Sequence, residues 1–203
     1  MTARPPLRGL PEYEAVNALP SPLNAQLRCH PATPAGVPLA LAVEVQTRAD
    51  GLWLRYTLRG DTGALRIPAP AAPMATDGLW QHSCFEAFVA AEGDARYREF
   101  NFSPSSQWAA YRFAAERERD TAAEAREPVP AICAQVQRDA QCLQLSVCLP
   151  SSTLPRSPAL LSLGLSAVIE ETDGRLSFWA LHHPGELPDF HHAAGRCLRL
   201  AAP

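Results

Sequence analysis

Trp80, His82, Glu86, Glu99, Asn101 and Trp108 fall within one stretch, LWQHSCFEAFVAAEGDARYREFNFSPSSQW, and Trp179 and His182 lie close together near the other end of the chain. These residue types suit the recognition of a small polar molecule. An indole exposed on a sheet stacks on the apolar C–H face of a sugar ring while its N–H finds a polar partner. The same indole inside a core only packs, and both states are open for Trp53, Trp80, Trp108 and Trp179. Glu86 and Glu99 sit on neighbouring predicted strands. Carboxylates placed so can accept hydrogen bonds from ligand hydroxyls, or be satisfied by Arg98 and Arg112. At a suitable separation they can act as acid and base in glycoside hydrolysis.

A second cluster is made of histidines. His182, His183, His191 and His192 bracket one loop that also holds Asp189. Imidazoles with a carboxylate are zinc ligands or ligands of another divalent ion. Side chains adjacent in a strand point to opposite faces, so only part of this set can converge. The alternative is a set of hydrogen bonds that pins the loop. Asn101-Phe102-Ser103 fits a glycosylation pattern, but its place in a strand and Pro104 after it mark the match as accidental. No G-x-S-x-G, P-loop or G-x-G-x-x-G is present, so the common hydrolase and nucleotide signals are missing.

The elements that must position these residues are short strands. Leu39, Leu41, Val43 and Val45 alternate with other residues, Asp50-Gly51 is a hairpin turn signal, and Leu52, Leu54, Tyr56 and Leu58 return on one face. Ser83–Ala91, Tyr97–Phe102 and Gln107–Phe113 read as three strands joined at Gly93-Asp94 and at Ser103–Ser106. Along the middle one, Tyr97, Glu99 and Asn101 oppose Arg98, Phe100 and Phe102. Residues 131–138 and 141–149 form a further hairpin. Leu160–Glu170 and Arg175–His182 form another about Asp173-Gly174, and Cys197–Ala201 closes the chain. Residues 115–128 carry charges of both signs and read as a solvated insertion, helical or looped. Repeated hairpins without a long helical pattern predict an all-β protein, an antiparallel, jelly-roll-like β-sandwich. The predicted organisation is an irregular proline-rich segment over 1–36, with at most an edge strand in it, packing on a sandwich over 37–203.

Composition bounds the function. A net charge of -3 argues against nucleic acid as a partner, which calls for a basic face. The first residues, MTARPPLRGLPEYEAV, show no apolar signal core, and no stretch reads as a membrane span. The expectation is a cytoplasmic protein whose six cysteines are reduced thiols. No C-x-x-C spacing suggests a bound metal.

Four runs, LWQHSCFEAFV, YREFNFSPSSQWAAYRF, SAVIEETDGRLSFWAL and HHPGELPDFHH, resemble the DOMON-like bacterial proteins, which are related to the family 9 carbohydrate-binding modules. The resemblance spans about Leu39 to Leu200. It implies a non-catalytic module that binds a small ligand, a sugar first and haem second. It also implies an indole clamp made by Trp80 and Trp179, with His82, Glu86 and Asn101 as polar partners. Glu99, Trp108 and His182 complete the predicted ligand-binding set, with no catalytic residue and no resident cofactor. His183, Asp189, His191 and His192 remain as weaker metal candidates. An enzyme would instead use Glu86, Glu99 and the 182–192 histidine loop.

Overall fold

Alternation of apolar and polar residues becomes twelve strands among the residues that the computed structural model describes, 21–157 and 160–203. In chain order they are β1 (Leu23–Cys29), β2 (Ala40–Arg48), β3 (Gly51–Arg59), β4 (Cys84–Ala91), β5 (Tyr97–Phe102) and β6 (Trp108–Ala115). There follow β7 (Glu118–Arg119), the short helix α1 (Thr121–Arg126), β8 (Ala134–Arg138), β9 (Cys142–Pro150), β10 (Leu160–Glu170), β11 (Leu176–Ala180) and β12 (Leu198–Ala201). Every ladder between them is antiparallel. The architecture is an antiparallel β-sandwich.

One layer runs β8-β9-β3-β2-β1 and the other β11-β10-β4-β5-β6-β7. β12 pairs with the first residues of β10, on the edge where β11 pairs with its last residues. β1 joins the layers. Its residues Leu23–Leu27 pair with β2, and Arg28 and Cys29 pair with Ala180 and Trp179 of β11. This strand lies within the 1–36 segment expected to be irregular with at most an edge strand: Leu23–Leu27 form the outer strand of the first layer, and Arg28 and Cys29 pass to β11. Leu23, Ala25 and Leu27 do alternate, but the prolines on either side obscure the pattern. The rest of that expectation, over 1–20, lies outside the described residues.

The core forms where the inner faces meet. Leu41, Val43 and Val45 of β2, Leu54, Tyr56 and Leu58 of β3, and Leu145 and Val147 of β9 pack against Phe85, Ala87 and Val89 of β4, Phe100 and Phe102 of β5, and Leu163, Leu165 and Ala167 of β10. Burying each leucine, valine or phenylalanine among them is worth about 1.5–3 kcal/mol before conformational entropy is subtracted. β10 departs from simple alternation, since its residues are buried on both faces. Its outer face is covered by the loop over 181–197. At Gly164 a Cβ would stand 3.1 Å from the Gly195 carbonyl oxygen, so the missing side chain permits that close approach.

The insertion at 115–128 is ordered as β7 and α1. The Asp120 carboxylate caps α1 by accepting from the Ala123 N–H at 2.8 Å. No helix among the described residues is long and apolar enough to cross a membrane.

Candidate functional site

The outer face of the second layer holds a cavity of about 540 Å³. Strand parity decides what lines it. On β4, Phe85 and Ala87 face the core, so Glu86 and Phe88 face outward; on β5, Phe100 and Phe102 face the core, so Glu99 and Asn101 face outward. β6 adds Tyr111 and Phe113, β10 adds Val168 and β11 adds Phe178. Phe190 and His191 come from the 181–197 loop, and Arg117 and Arg119 from the turn into β7 and from β7 itself. Gly78, at φ +75 in the left-handed region, opens a single 3-10 turn over Leu79–Gln81. That turn buries Leu79 and leaves Trp80, 52% exposed, against the cavity.

Two carboxyls lie deep in the site. Glu86 is 2% exposed, and its Oε2 accepts a hydrogen bond from the Ser166 hydroxyl at 3.3 Å. Glu99 Oε1 accepts from the Asn101 amide at 2.9 Å. Burial, with the charge of Glu99 second, holds the Glu86 carboxyl well above the usual carboxylate range. Burial also pushes Glu99 up to about 7, against the pull of the Asn101 hydrogen bond and of the Arg119 and Arg117 charges. His191 stands edge-on to the rings of Phe88, Tyr97 and Phe113. Its burial, aided by Arg117, lowers its pKa to about 4, so the ring is neutral at physiological pH.

The rim is tied down by ion pairs and hydrogen bonds. Arg117 donates to Asp189 at 2.7 Å, and its main-chain N–H donates to the Tyr97 hydroxyl at 3.1 Å. Arg119 lies over the Tyr111 ring, 4.3 Å from its centroid, and donates to both Glu124 oxygens. The Tyr111 hydroxyl donates to Asp77 at 2.9 Å.

No family model matches the sequence, and no curated protein matches it. Solved structures do. A proposed carbohydrate-binding protein from Bacteroides uniformis superposes with a TM-score of 0.60 at 16% identity, over 85% of this chain and 83% of the other. A family 9 carbohydrate-binding module from Caldicellulosiruptor kristjanssonii, in complex with cellotriose, superposes with a TM-score of 0.51 at 8% identity, over 78% and 73% of the two chains. The same module in complex with glucose gives a TM-score of 0.51, over 78% and 75%. The chain shares their fold.

The structure separates the residues predicted from the sequence. Trp80, Glu86 and Glu99 line the cavity, and Asn101 supports Glu99 from the same face. Trp179 does not line it. It is packed in the core between the layers, and its indole Nε1 donates to Ser177 Oγ at 3.0 Å. The expected Trp80–Trp179 clamp is therefore corrected: on β11 the outward position belongs to Phe178. Trp108 is likewise in the core, with its Nε1 unpaired. His82 lies outside the cavity, its Nδ1 2.8 Å from Glu170 Oε2. His182 is exposed beside a shallow recess next to Phe88 and Phe190. Arg98 and Arg112 leave by the face opposite to Glu86 and Glu99. Arg98 donates to the Thr153 carbonyl and Arg112 pairs with Glu127 at 2.8 Å.

The histidine loop disperses. His183 Nε2 is 2.7 Å from the Arg28 carbonyl oxygen, His192 Nδ1 accepts from the Ala194 N–H, and Asp189 is engaged by Arg117. Among the described residues no three His, Cys, Asp or Glu side chains gather as a metal site. The hydrogen bonds hold the loop over the outer face instead.

Sequence reasoning missed the aromatic walls Phe88, Tyr111, Phe113, Phe178 and Phe190, and the rim groups Asp77, Arg117 and Arg119. Parity carried a signal for some of them: once Glu86 and Glu99 face outward, Phe88 must do so too. Nothing local marks Phe190 or Arg117, which reach the cavity from loops.

Proposed function

We propose that the chain is a DOMON-like, non-catalytic small-ligand-binding module whose ligand is a carbohydrate. The observation that carries this reading is the half-exposed Trp80 indole beside an aromatic-walled cavity with two carboxyls deep within it. Flat apolar side chains cover the C–H faces of a sugar ring, while carboxyl groups take up its hydroxyls. A likeness of fold to modules solved with glucose and cellotriose agrees with it.

A glycoside hydrolase needs one ionised carboxylate beside one protonated carboxyl. Burial holds Glu86 well above the usual range and Glu99 at about 7, so an acid–base pair is the second reading, and turnover of a glycoside abolished by Glu86→Gln would favour it over binding alone. For haem, His191 is the single histidine among the described residues lining the cavity, and its Nδ1 is 2.8 Å from the Tyr97 hydroxyl.

A panel of mono- and disaccharides, titrated while tryptophan fluorescence and melting temperature are followed, tests the reading. At least one sugar is expected to shift the emission and raise the melting temperature. Trp80→Ala should remove both responses while the free protein keeps its stability within about 0.5 kcal/mol. A broad panel that moves neither signal in the unmodified protein would sink the proposal.

A further inference from the structure

We propose that the ligand of this cavity carries a protonated amine, which within the carbohydrate reading on which this rests means an amino sugar. Three carboxyl side chains, Asp77, Glu86 and Glu99, line the cavity. Each guanidinium on the rim makes its close ion pair with a different carboxylate, Arg117 with Asp189 and Arg119 with Glu124, and acts on Glu99 only from further away. The cation nearest to Glu99 would be His191, whose Nε2 is 3.8 Å from Oε2. Burial keeps that ring neutral at physiological pH, with its Nδ1 2.8 Å from the Tyr97 hydroxyl, which also accepts the Arg117 N–H.

The deep end of the cavity is dominated by carboxyl and amide oxygens. Among the described residues Glu86 accepts one side-chain hydrogen bond, from Ser166 through Oε2. Asn101, directly across the ladder from Glu86, has its Oδ1 buried and unpaired. A buried acceptor left so is costly. An ammonium group supplies three donors and a positive charge at one point, whereas a hydroxyl supplies one donor and no charge. The walls suit the same group, since the faces of Trp80, Phe178 and Phe113 attract a cation. Carboxyl floor and aromatic wall thus favour one chemistry, with each rim arginine held by a carboxylate of its own.

The test compares amines with their hydroxyl twins by calorimetry on the unmodified protein, slightly to the acid side of neutrality. The pairs are glucosamine with glucose, and cyclohexylamine with cyclohexanol. Glucosamine is expected to bind about tenfold tighter than glucose or better, and Glu86→Gln should bring the two within about twofold. Glucose binding as tightly as glucosamine overturns the amine and leaves the carbohydrate reading standing. Cyclohexylamine binding over cyclohexanol, with neither sugar bound, upholds the amine and ends the carbohydrate reading. Binding of none of the four overturns both.

Discussion

The Tyr56 hydroxyl donates a hydrogen bond of 2.7 Å to the main-chain carbonyl of Glu86. Tyr56 stands on β3 in one layer and Glu86 on β4 in the other, so the bond crosses the core. The Glu86 side chain leaves β4 on the far side, into the cavity. One residue therefore touches both the packing that makes the sandwich and the site that the sandwich presents.

Tyr56→Phe keeps the ring and its contact with Phe85, at 5.1 Å between centroids, and removes only the hydroxyl. The Glu86 carbonyl then loses a fully buried donor. Urea unfolding should show a loss of about 1–1.5 kcal/mol with an unchanged slope. No change in midpoint would mean that the bond contributes nothing net.

Neighbours on β11 should respond oppositely. Trp179→Ala empties a core position and is expected to cost about 3–5 kcal/mol. Phe178→Ala trims a cavity wall and should cost only about 1–2 kcal/mol. Any ligand that binds at the cavity should bind more weakly to the Phe178 variant and normally to folded Trp179→Phe. Chemical denaturation beside ligand titration separates the two effects, and equal losses of binding would contradict the placement.

Stability should depend on pH through two opposed groups. Glu99 titrates near 7 when folded, above its ordinary value of 4.5, because it is buried. Folding thus favours its protonated form, and that stabilisation is complete below the unfolded value and lost as pH rises through about 7. Glu86 is shifted in the same direction. His191 is shifted down from 6.5 to about 4, so its neutral form is favoured, and that stabilisation is lost as pH falls from 6.5 through about 4. Melting temperatures of Glu99→Gln should fall less steeply towards high pH, and those of His191→Gln less steeply towards low pH. Profiles parallel to that of the parent protein would show that neither group carries the effect.

Much of the fold was legible because its determinants are local. Turn signals such as Asp50-Gly51 and period-two alternation along β3, β5 and β9 need only neighbouring residues. The edge strand allowed within 1–36 was not placed at Leu23–Cys29 for the complementary reason: that strand is held by partners on β2 and, far away in sequence, on β11. Of the site, Trp80, Glu86, Glu99 and Asn101 were legible by residue type. The aromatic walls were not, since phenylalanines and tyrosines at strand positions suit a core equally well.

Phe178 and Trp179 mark the division. The sequence by itself determined that the chain makes paired strands with one apolar face, because alternation and turn chemistry are properties of a few consecutive residues. It also determined that β11 carries two aromatic side chains on opposite faces. Only the tertiary structure decided which face is the core. That depends on register with β10, where Trp179 pairs with Ala167 and Phe178 with Val168, and a slip of one residue would exchange them. The same packing of layers decided that the second face is not bare. The 181–197 loop lies across it, bringing Phe190 and His191 against residues some ninety to a hundred positions earlier, such as Phe88 and Tyr97, and making a cavity out of a sheet surface.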